Sequence, residues 1–161
     1  MDNNKIIDIG IPEKNRGEIS DHLNVLLSNE FALFIKTNKY HWNVEGKHFG
    51  PLHKLFEKQY QTIAEIIDGV AERVRKLGFK SFGSLAEFSK HTTISEEPGK
   101  NPDERTMILN LLTDQQKIIN QLRKDINFAM EKGDVGTNNF LTEVIEKHEK
   151  MAWMLRAHIT E

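Results

Sequence analysis

The fold of this chain is decided by residues 40–77, YHWNVEGKHFGPLHKLFEKQYQTIAEIIDGVAERVRKL. The sequence predicts a helix that starts around Phe49-Gly50-Pro51 and runs to Leu77, because proline is tolerated in a first helical turn and Gly78 suits a helix end. Apolar residues recur along this helix with helical spacing, which indicates a buried face. That apolar stripe consists of Leu52, Phe56, Ile63, Ile67, Val70, Val74 and Leu77. A second stripe beside it consists of His53, Glu57, Ala64, Asp68 and Glu72.

The metal-ligand residue types in this helix form two pairs that lie too far apart for one metal. His53 and Glu57 are four residues apart, as are Asp68 and Glu72, so each pair projects from one helix face. Eleven residues separate Glu57 from Asp68. At about 1.5 Å per residue, this separation is roughly 16 Å along the axis. One helix therefore cannot bring both pairs to one ion.

A second copy of the same helix would solve this spacing problem. When two copies pack antiparallel across a two-fold axis, the residue numbers of contacting pairs have a constant sum. The sum is 125 for His53 with Glu72 and again 125 for Glu57 with Asp68. The sequence therefore predicts two equivalent sites per dimer, each with ligands from both chains. His41, on the preceding helix, is a candidate to complete each site.

The chemistry of these side chains favours iron. Imidazole and carboxylate ligands without thiolate suit a redox iron site, and the chain has no cysteine, which excludes disulfides, thiolate catalysis and zinc-thiolate sites. The alternative is that both pairs are solvated surface, because 29% of the residues are charged. The shared register favours the metal site. The other histidines are interpreted as surface residues or as core residues whose hydrogen bonds are satisfied; they are His22, His48, His91, His148 and His158. Trp42 and Trp153 are interpreted as core or interface aromatics.

The rest of the sequence predicts an all-α fold of four long amphipathic helices. We interpret residues 1–15 as an N-terminal arm and residues 16–161 as a single bundle domain. Asn15 is predicted to cap the first helix in a capping box, Asn101 the third and Thr137 the last. Residues 79–101 form a long crossover that includes a short predicted helix at residues 85–90. One long crossover among four helices is the ferritin-like connectivity.

Composition limits the classes of partner. The chain has 161 residues with 24 acidic and 22 basic side chains, and its isoelectric point is near 6.4. It therefore lacks the broad positive field that binds nucleic acid through charge alone. It also has no run of eighteen apolar residues and no signal-peptide pattern at its start, so we expect a cytoplasmic protein without a membrane partner.

Four segments of the chain resemble the DNA-protection-during-starvation (Dps) miniferritins. They are residues 39–44 (KYHWNV), 53–57 (HKLFE), 67–73 (IDGVAER) and 152–156 (AWMLR). The resemblance extends from the first helix to the last. It contrasts with conventional ferritins, which place Glu-x-x-His motifs within one bundle; the only such motif here, Glu45 to His48, lies in a predicted turn.

The resemblance implies an intersubunit ferroxidase site and a hollow homododecamer assembled from two-fold dimers. Members of the family oxidise Fe(II), preferably with hydrogen peroxide, and store the Fe(III) mineral inside. Trp42 would take up stray oxidising equivalents. The implied ligands are His41, His53 and Glu57 of one chain with Asp68 and Glu72 of its mate.

The chain also departs from the family pattern in three places. Position 57 is often Asp in the family and is Glu here. Early in the last helix, where the family has pore aspartates, Asp134 is followed by Asn138 and Asn139, with Glu143 or Glu146 as substitutes. The N-terminal arm, in which acidic residues nearly balance the basic ones, differs from the lysine-rich arms of DNA-binding members. The alternative function, a nucleoid-associated protein that compacts DNA, is therefore expected to involve weak DNA binding at most.

Overall fold

The computed structural model describes residues 7–159, which form five helices and no strands. Four of the helices are long, and the short one lies in the connection between the second and third long helices. The all-α prediction is confirmed, and so is the short helix predicted at residues 85–90. The helices are α1 (Glu13–Asn43), α2 (Phe49–Lys76), α3 (Leu85–His91), α4 (Glu104–Glu131) and α5 (Val135–Ala157).

The four long helices form a bundle of two antiparallel hairpins. Helix α1 packs against α2 and α4, while α5 packs against α4 and α2. Side-chain contacts between α1 and α4 join rising residue numbers in α1 to falling ones in α4, which makes the two helices antiparallel. These contacts pair Asn29 with Gln121, Lys36 with Asp114, and Tyr40 with Asn110. The connection through α3 therefore crosses the length of the bundle, which is the predicted ferritin-like arrangement.

All four long helices contribute apolar side chains to one core. The predicted core stripe of α2 is buried, with Ile67 partly buried at its margin. Within the described range, no helix combines the length and the apolar character that a membrane span requires. Residues without any exposed surface include Leu26, Leu33, Phe56, Ile63, Leu111, Ile118, Leu122 and Leu155.

The predicted start of α1 is wrong. The helix begins at Glu13 after Pro12, and no side chain caps it. Asn15 lies inside the first turn, where its amide Nδ2 donates a hydrogen bond to the carbonyl oxygen of Lys132 at 3.1 Å. The side chain that resembled a cap therefore ties the beginning of α1 to the end of α4.

The predicted caps of α4 and α5 are also wrong, because an aspartate takes the position in each case. Asp103 precedes α4 and accepts a hydrogen bond from the backbone N–H of Thr106 at 2.8 Å. This hydrogen bond lowers the pKa of the Asp103 carboxyl. Asp134 precedes α5 and accepts from the N–H of Thr137, the residue predicted as the cap. Aspartate and asparagine cap equally well, so sequence alone did not separate Asp103 from the Asn at position 101.

A cluster of three polar side chains, one from each of three helices, lies inside the bundle. Glu30 of α1, Gln115 of α4 and His148 of α5 have no exposed surface. The Nε2 atom of His148 lies 2.8 Å from Glu30 Oε1, and its Nδ1 atom lies 2.6 Å from Gln115 Oε1. His148 is therefore a satisfied core histidine, one of the two environments expected for it.

We predict that His148→Ala destabilises the fold by about 3 to 5 kcal/mol, because Glu30 would remain buried without its partner. Urea denaturation at fixed protein concentration, followed by circular dichroism, measures this change. The matched control is the triple variant Glu30→Leu, Gln115→Leu and His148→Leu, which removes all three polar groups and should recover most of the loss. A triple variant as unstable as His148→Ala would contradict this explanation.

Candidate metal centre

The centre begins with two stacked imidazoles at the junction of α1 and α2. His41 lies in the last turn of α1, and His53 lies near the start of α2. Their ring centroids are 3.8 Å apart and the planes are tilted by 19°. His41 is 7% exposed, and His53 is half-buried. The antiparallel α1–α2 hairpin thus brings together two residues that are twelve positions apart in the sequence.

Each imidazole is held by the backbone of the other residue. His41 Nδ1 lies 2.8 Å from the carbonyl oxygen of His53, and His53 Nδ1 lies 2.8 Å from the carbonyl oxygen of His41. A carbonyl oxygen only accepts hydrogen bonds, so both Nδ1 atoms must carry the proton. In the neutral rings, both Nε2 atoms then retain a lone pair. This is the arrangement in which a protein orients histidine toward a metal.

The end of α1 makes this reciprocal arrangement available. The last carbonyl groups of a helix lack partners within the helix, and the carbonyl of His41 belongs to the final turn of α1. The N–H of Val44 bonds to the carbonyl of Tyr40, after which the backbone leaves the helix. The imidazole of His53 therefore takes up a carbonyl that the helix does not use.

Glu57 lies one turn beyond His53 on α2 and is half-buried. Its carboxylate makes no hydrogen bond or ion pair within residues 7–159. The chain therefore presents two oriented imidazoles and one free carboxylate near the same end of α2. These are three of the five predicted ligands.

The other two predicted ligands lie farther along α2 and face away from the bundle. Asp68 is exposed, and the Glu72 side chain is 60% exposed and pairs with Lys76 at 3.3 Å. Arg73 fixes this orientation: it donates to Asp134 Oδ1 at 2.7 Å and to Thr137 at 2.8 Å. Because Arg73 points toward α5, its neighbour Glu72 lies on a different face of α2.

A single chain does not assemble the five residues. Helix α2 is continuous from Phe49 to Lys76, so the separation of Glu57 and Asp68 is maintained. Within the described range, no group of three or more His, Asp or Glu side chains is arranged to hold a metal ion. A centre that uses all five residues requires a second chain.

Solvent exposure and ring contacts distinguish Trp42 and Trp153 from Tyr60. Trp42 is 71% exposed, so the core interpretation is wrong and the interface interpretation stays a prediction. Trp153 is 60% exposed, with the same outcome. Tyr60, which sequence reasoning missed, has its ring 5.3 Å from that of His41 in an edge-on arrangement. Its position three residues after Glu57, on the same face of α2, was the sequence feature that could have placed it near the candidate ligands.

The aspartate expected near an iron entrance is not on the surface. Asp134 is 1% exposed, and its carboxylate binds Arg73 and the first turn of α5. It therefore contributes little negative field outside the chain. Glu143 and Glu146 on α5 are exposed and remain the predicted substitutes.

Comparisons with known proteins agree on one family. The model of a protein family described as the ferritin-like domain matches residues 20–161 of the sequence. The chain is 40% identical over 154 residues to a low temperature-induced protein of Nostoc, covering 95% of this chain and 86% of that protein. It is 31% identical over 142 residues to the DNA protection during starvation protein of Helicobacter pylori, covering 88% and 96%. The chain is also similar to a crystal structure of a Dps protein from Vibrio cholerae, which is described as a member of a broad superfamily of ferritin-like diiron-carboxylate proteins. The TM-score is 0.90 and the sequence identity 32%, and the match covers 94% of this chain and 95% of that chain.

The reciprocal hydrogen bonds make a prediction for the metal-free protein. We expect the neutral rings of both His41 and His53 to be protonated at Nδ1, because each Nδ1 faces a carbonyl oxygen. Long-range ¹H–¹⁵N NMR correlations on ¹⁵N-histidine-labelled protein distinguish the two tautomers. His158 is the control, because it is exposed and its ring makes no hydrogen bond within residues 7–159. A proton on Nε2 of either ring would contradict the arrangement.

Proposed function

The chain belongs to the Dps family of ferritin-like proteins, and we propose that it is an iron storage and detoxification protein with ferroxidase activity. It oxidises Fe(II) with hydrogen peroxide, or with oxygen, at a di-iron site shared by two subunits. The Fe(III) product is stored as a mineral inside a hollow homo-oligomer, a dodecamer built from two-fold dimers. Removal of Fe(II) and peroxide together protects DNA from oxidative damage.

The observation that carries this proposal is the fixed orientation of His41 and His53. Their Nδ1 atoms are occupied by backbone carbonyls, which leaves the two Nε2 lone pairs for metal. A histidine pair that served only packing would not need this reciprocal arrangement. The unpaired carboxylate of Glu57 one turn away supplies the oxygen ligand that iron accepts beside imidazole.

The second half of the site comes from a second copy of α2. Its outer face is free for such a contact, because Gln61, Ala64, Glu65 and Asp68 are exposed. Antiparallel pairing in the register predicted from the sequence opposes Glu57 with Asp68 of the partner subunit. It also opposes His53 with Glu72 of the partner subunit. Each dimer then contains two sites on either side of the axis, which is the isologous contact of a two-fold dimer.

The ligand set explains how the site would handle two Fe(II) ions. Three carboxylates offset most of the positive charge, and two neutral imidazoles add ligands without adding charge. Five protein ligands for two ions leave positions open for water and peroxide. With two Fe(II) ions in place, each would give one electron to a hydrogen peroxide molecule. Its O–O bond would break to leave two hydroxide ions, and no hydroxyl radical would be released.

The pair between Glu72 and Lys76 does not prevent metal binding. Both side chains are more than half exposed, and ion pairs of this kind contribute little to stability. A divalent ion therefore displaces the ammonium group at small cost. Lys76 neutralises Glu72 until that happens.

We predict that His41→Ala and Asp68→Ala each slow peroxide-dependent Fe(II) oxidation by at least about 10-fold, because loss of a ligand should cost at least as much as loss of a residue that orients one. Stopped-flow absorbance of Fe(III) formation measures the rate. The oligomer, checked by size-exclusion chromatography, should stay intact. Asp21→Ala, an exposed aspartate of α1 outside the site, is the matched control. Unchanged kinetics in both site variants would refute the proposal.

Protection of DNA is expected to follow from iron removal rather than from tight DNA binding. The formal net charge is −2 at pH 7, so little phosphate attraction is available. A gel-shift assay at about 50 mM salt favours electrostatic binding, and we expect no stable complex even there. Tight binding at that salt concentration would support the alternative function, compaction of DNA. Residues 1–6 of the predicted N-terminal arm lie outside the described residues.

A further inference from the structure

A cavity at one end of the bundle is lined by residues from three distant parts of the chain. His48 precedes α2, Glu104 begins α4, and His158 follows α5. All three residues line this cavity, which has a volume of about 240 Å³, and the buried side chains of Leu52 and Ile108 form an apolar part of its wall. The fold therefore brings two imidazoles and a carboxylate to one place, although they lie far apart in the sequence.

Glu104 fixes the ring of His48 because its carboxylate holds two parts of that residue. The Oε1 atom of Glu104 lies 2.7 Å from His48 Nδ1, and the Oε2 atom accepts a hydrogen bond from the backbone N–H of His48 at 3.2 Å. The hydrogen bond from the His48 side chain is the main cause that lowers the pKa of the Glu104 carboxyl. The carboxylate only accepts, so Nδ1 carries the proton and the neutral ring keeps a lone pair on Nε2.

The cavity thus contains two imidazoles with nitrogen atoms available for a ligand. Histidines that bind metal usually donate their other ring N–H to a carboxylate or a carbonyl, as His48 does to Glu104. Within residues 7–159, Nε2 of His48 makes no hydrogen bond, and neither does the ring of His158. His158 is exposed, so its side chain can turn toward His48 without losing a partner.

The charges around the cavity favour a cation over an anion. The Nε2 atom of His48 is an acceptor in the neutral ring, and an acceptor does not bind an anion. Arg105 also lines the cavity, but it is exposed, and the neighbouring carboxylate of Glu104 offsets its charge. An ion that accepts electron pairs from imidazole nitrogen is therefore the ligand that these groups suit best.

We propose that His48 and His158 form a second metal-binding site, for a divalent late transition-metal ion such as Zn²⁺ or Cu²⁺. Imidazole suits these ions, and they bind nitrogen ligands more tightly than Fe²⁺ does. Glu104 is a positioning residue that orients His48. No third His, Asp or Glu side chain of residues 7–159 is arranged to join the two, so water completes the coordination. The site shares no residue with the proposed iron centre.

An ion at this site would join the segment before α2 to the segment after α5. An ion that binds only the folded chain stabilises it. Zn²⁺ should therefore raise the midpoint of thermal unfolding, and part of that rise should depend on His158.

Pulsed electron paramagnetic resonance of bound Cu²⁺ tests the ligands directly, because it counts the coordinated imidazoles. The background is the full chain with His41→Ala and His53→Ala, which removes both imidazoles of the proposed iron centre. One equivalent of Cu²⁺ should bind through two imidazoles. Adding His48→Ala or His158→Ala should leave one imidazole and weaken binding, measured by equilibrium dialysis, by at least about 10-fold, since loss of a ligand should cost at least as much as loss of a residue that orients one.

Two further variants separate the ligands from their surroundings. Glu104→Gln should keep both imidazoles on Cu²⁺ but weaken binding, because a neutral amide holds the ring of His48 less firmly. His22→Ala is the matched control: His22 Nδ1 lies 2.8 Å from Asp125 Oδ1, the same kind of pair outside this cavity. This control should change neither the imidazole count nor the affinity.

The unmodified protein gives a second measurement that does not need the double-variant background. The rise in thermal midpoint with Zn²⁺ should be smaller in His158→Ala than in His22→Ala. An equal rise in these two variants would overturn the inference. So would Cu²⁺ that keeps two imidazoles in both His48→Ala and His158→Ala, or that never has more than one in the background chain. None of these results affects the proposed function, which is tested through other residues.

Discussion

The length of an α-helix is the constraint on which the proposed site depends. Glu57 and Asp68 lie on one continuous helix, about 16 Å apart along its axis, so no rotation of side chains brings them to one ion. Antiparallel pairing of two such helices removes the separation without bending either one. The proposed iron site and the proposed dimer interface are therefore the same surface. The need for metal ligands explains why this interface carries histidine and carboxylate side chains, and the two-fold contact explains why the ligands are divided between two parts of α2.

The rest of the fold holds that surface in position. The α1–α2 hairpin stacks His41 on His53 and locks both rings through their carbonyl groups. Farther along α2, Arg73 binds Asp134 at the start of α5 and keeps the neighbouring carboxylate outward. The core beneath α2 is apolar apart from Gln59, whose amide donates a hydrogen bond to the carbonyl oxygen of Met151 on α5. The buried pair of Glu30 and His148 joins α1 to α5. The two ends of α2 are thus held by different neighbours, α1 at its start and α5 near its end.

Much of this arrangement was predictable from the sequence, and the failures have physical reasons. Helical periodicity, a proline in the first turn and a glycine past the end predicted the bounds of α2 to within one residue. Gly78 follows the helix with a positive φ of 94°. The cap at Asn15 failed because that amide bonds to a carbonyl of a distant helix, a contact that no local pattern encodes. The ring contact of Tyr60 and the reciprocal hydrogen bonds of His41 also depend on how two helices pack. The five predicted ligands themselves remain a prediction that awaits a second chain.

The most direct test of a shared site is subunit complementation. His53→Ala and Asp68→Ala chains carrying different tags are co-expressed, and mixed oligomers are isolated through both tags. In a shared site, each mixed dimer has one site with both defects and one site with none, so random pairing restores about one quarter of the sites. The predicted result is peroxide-dependent Fe(II) oxidation clearly above that of either variant alone. Activity no higher than that of the two parent variants would contradict a site built from two chains.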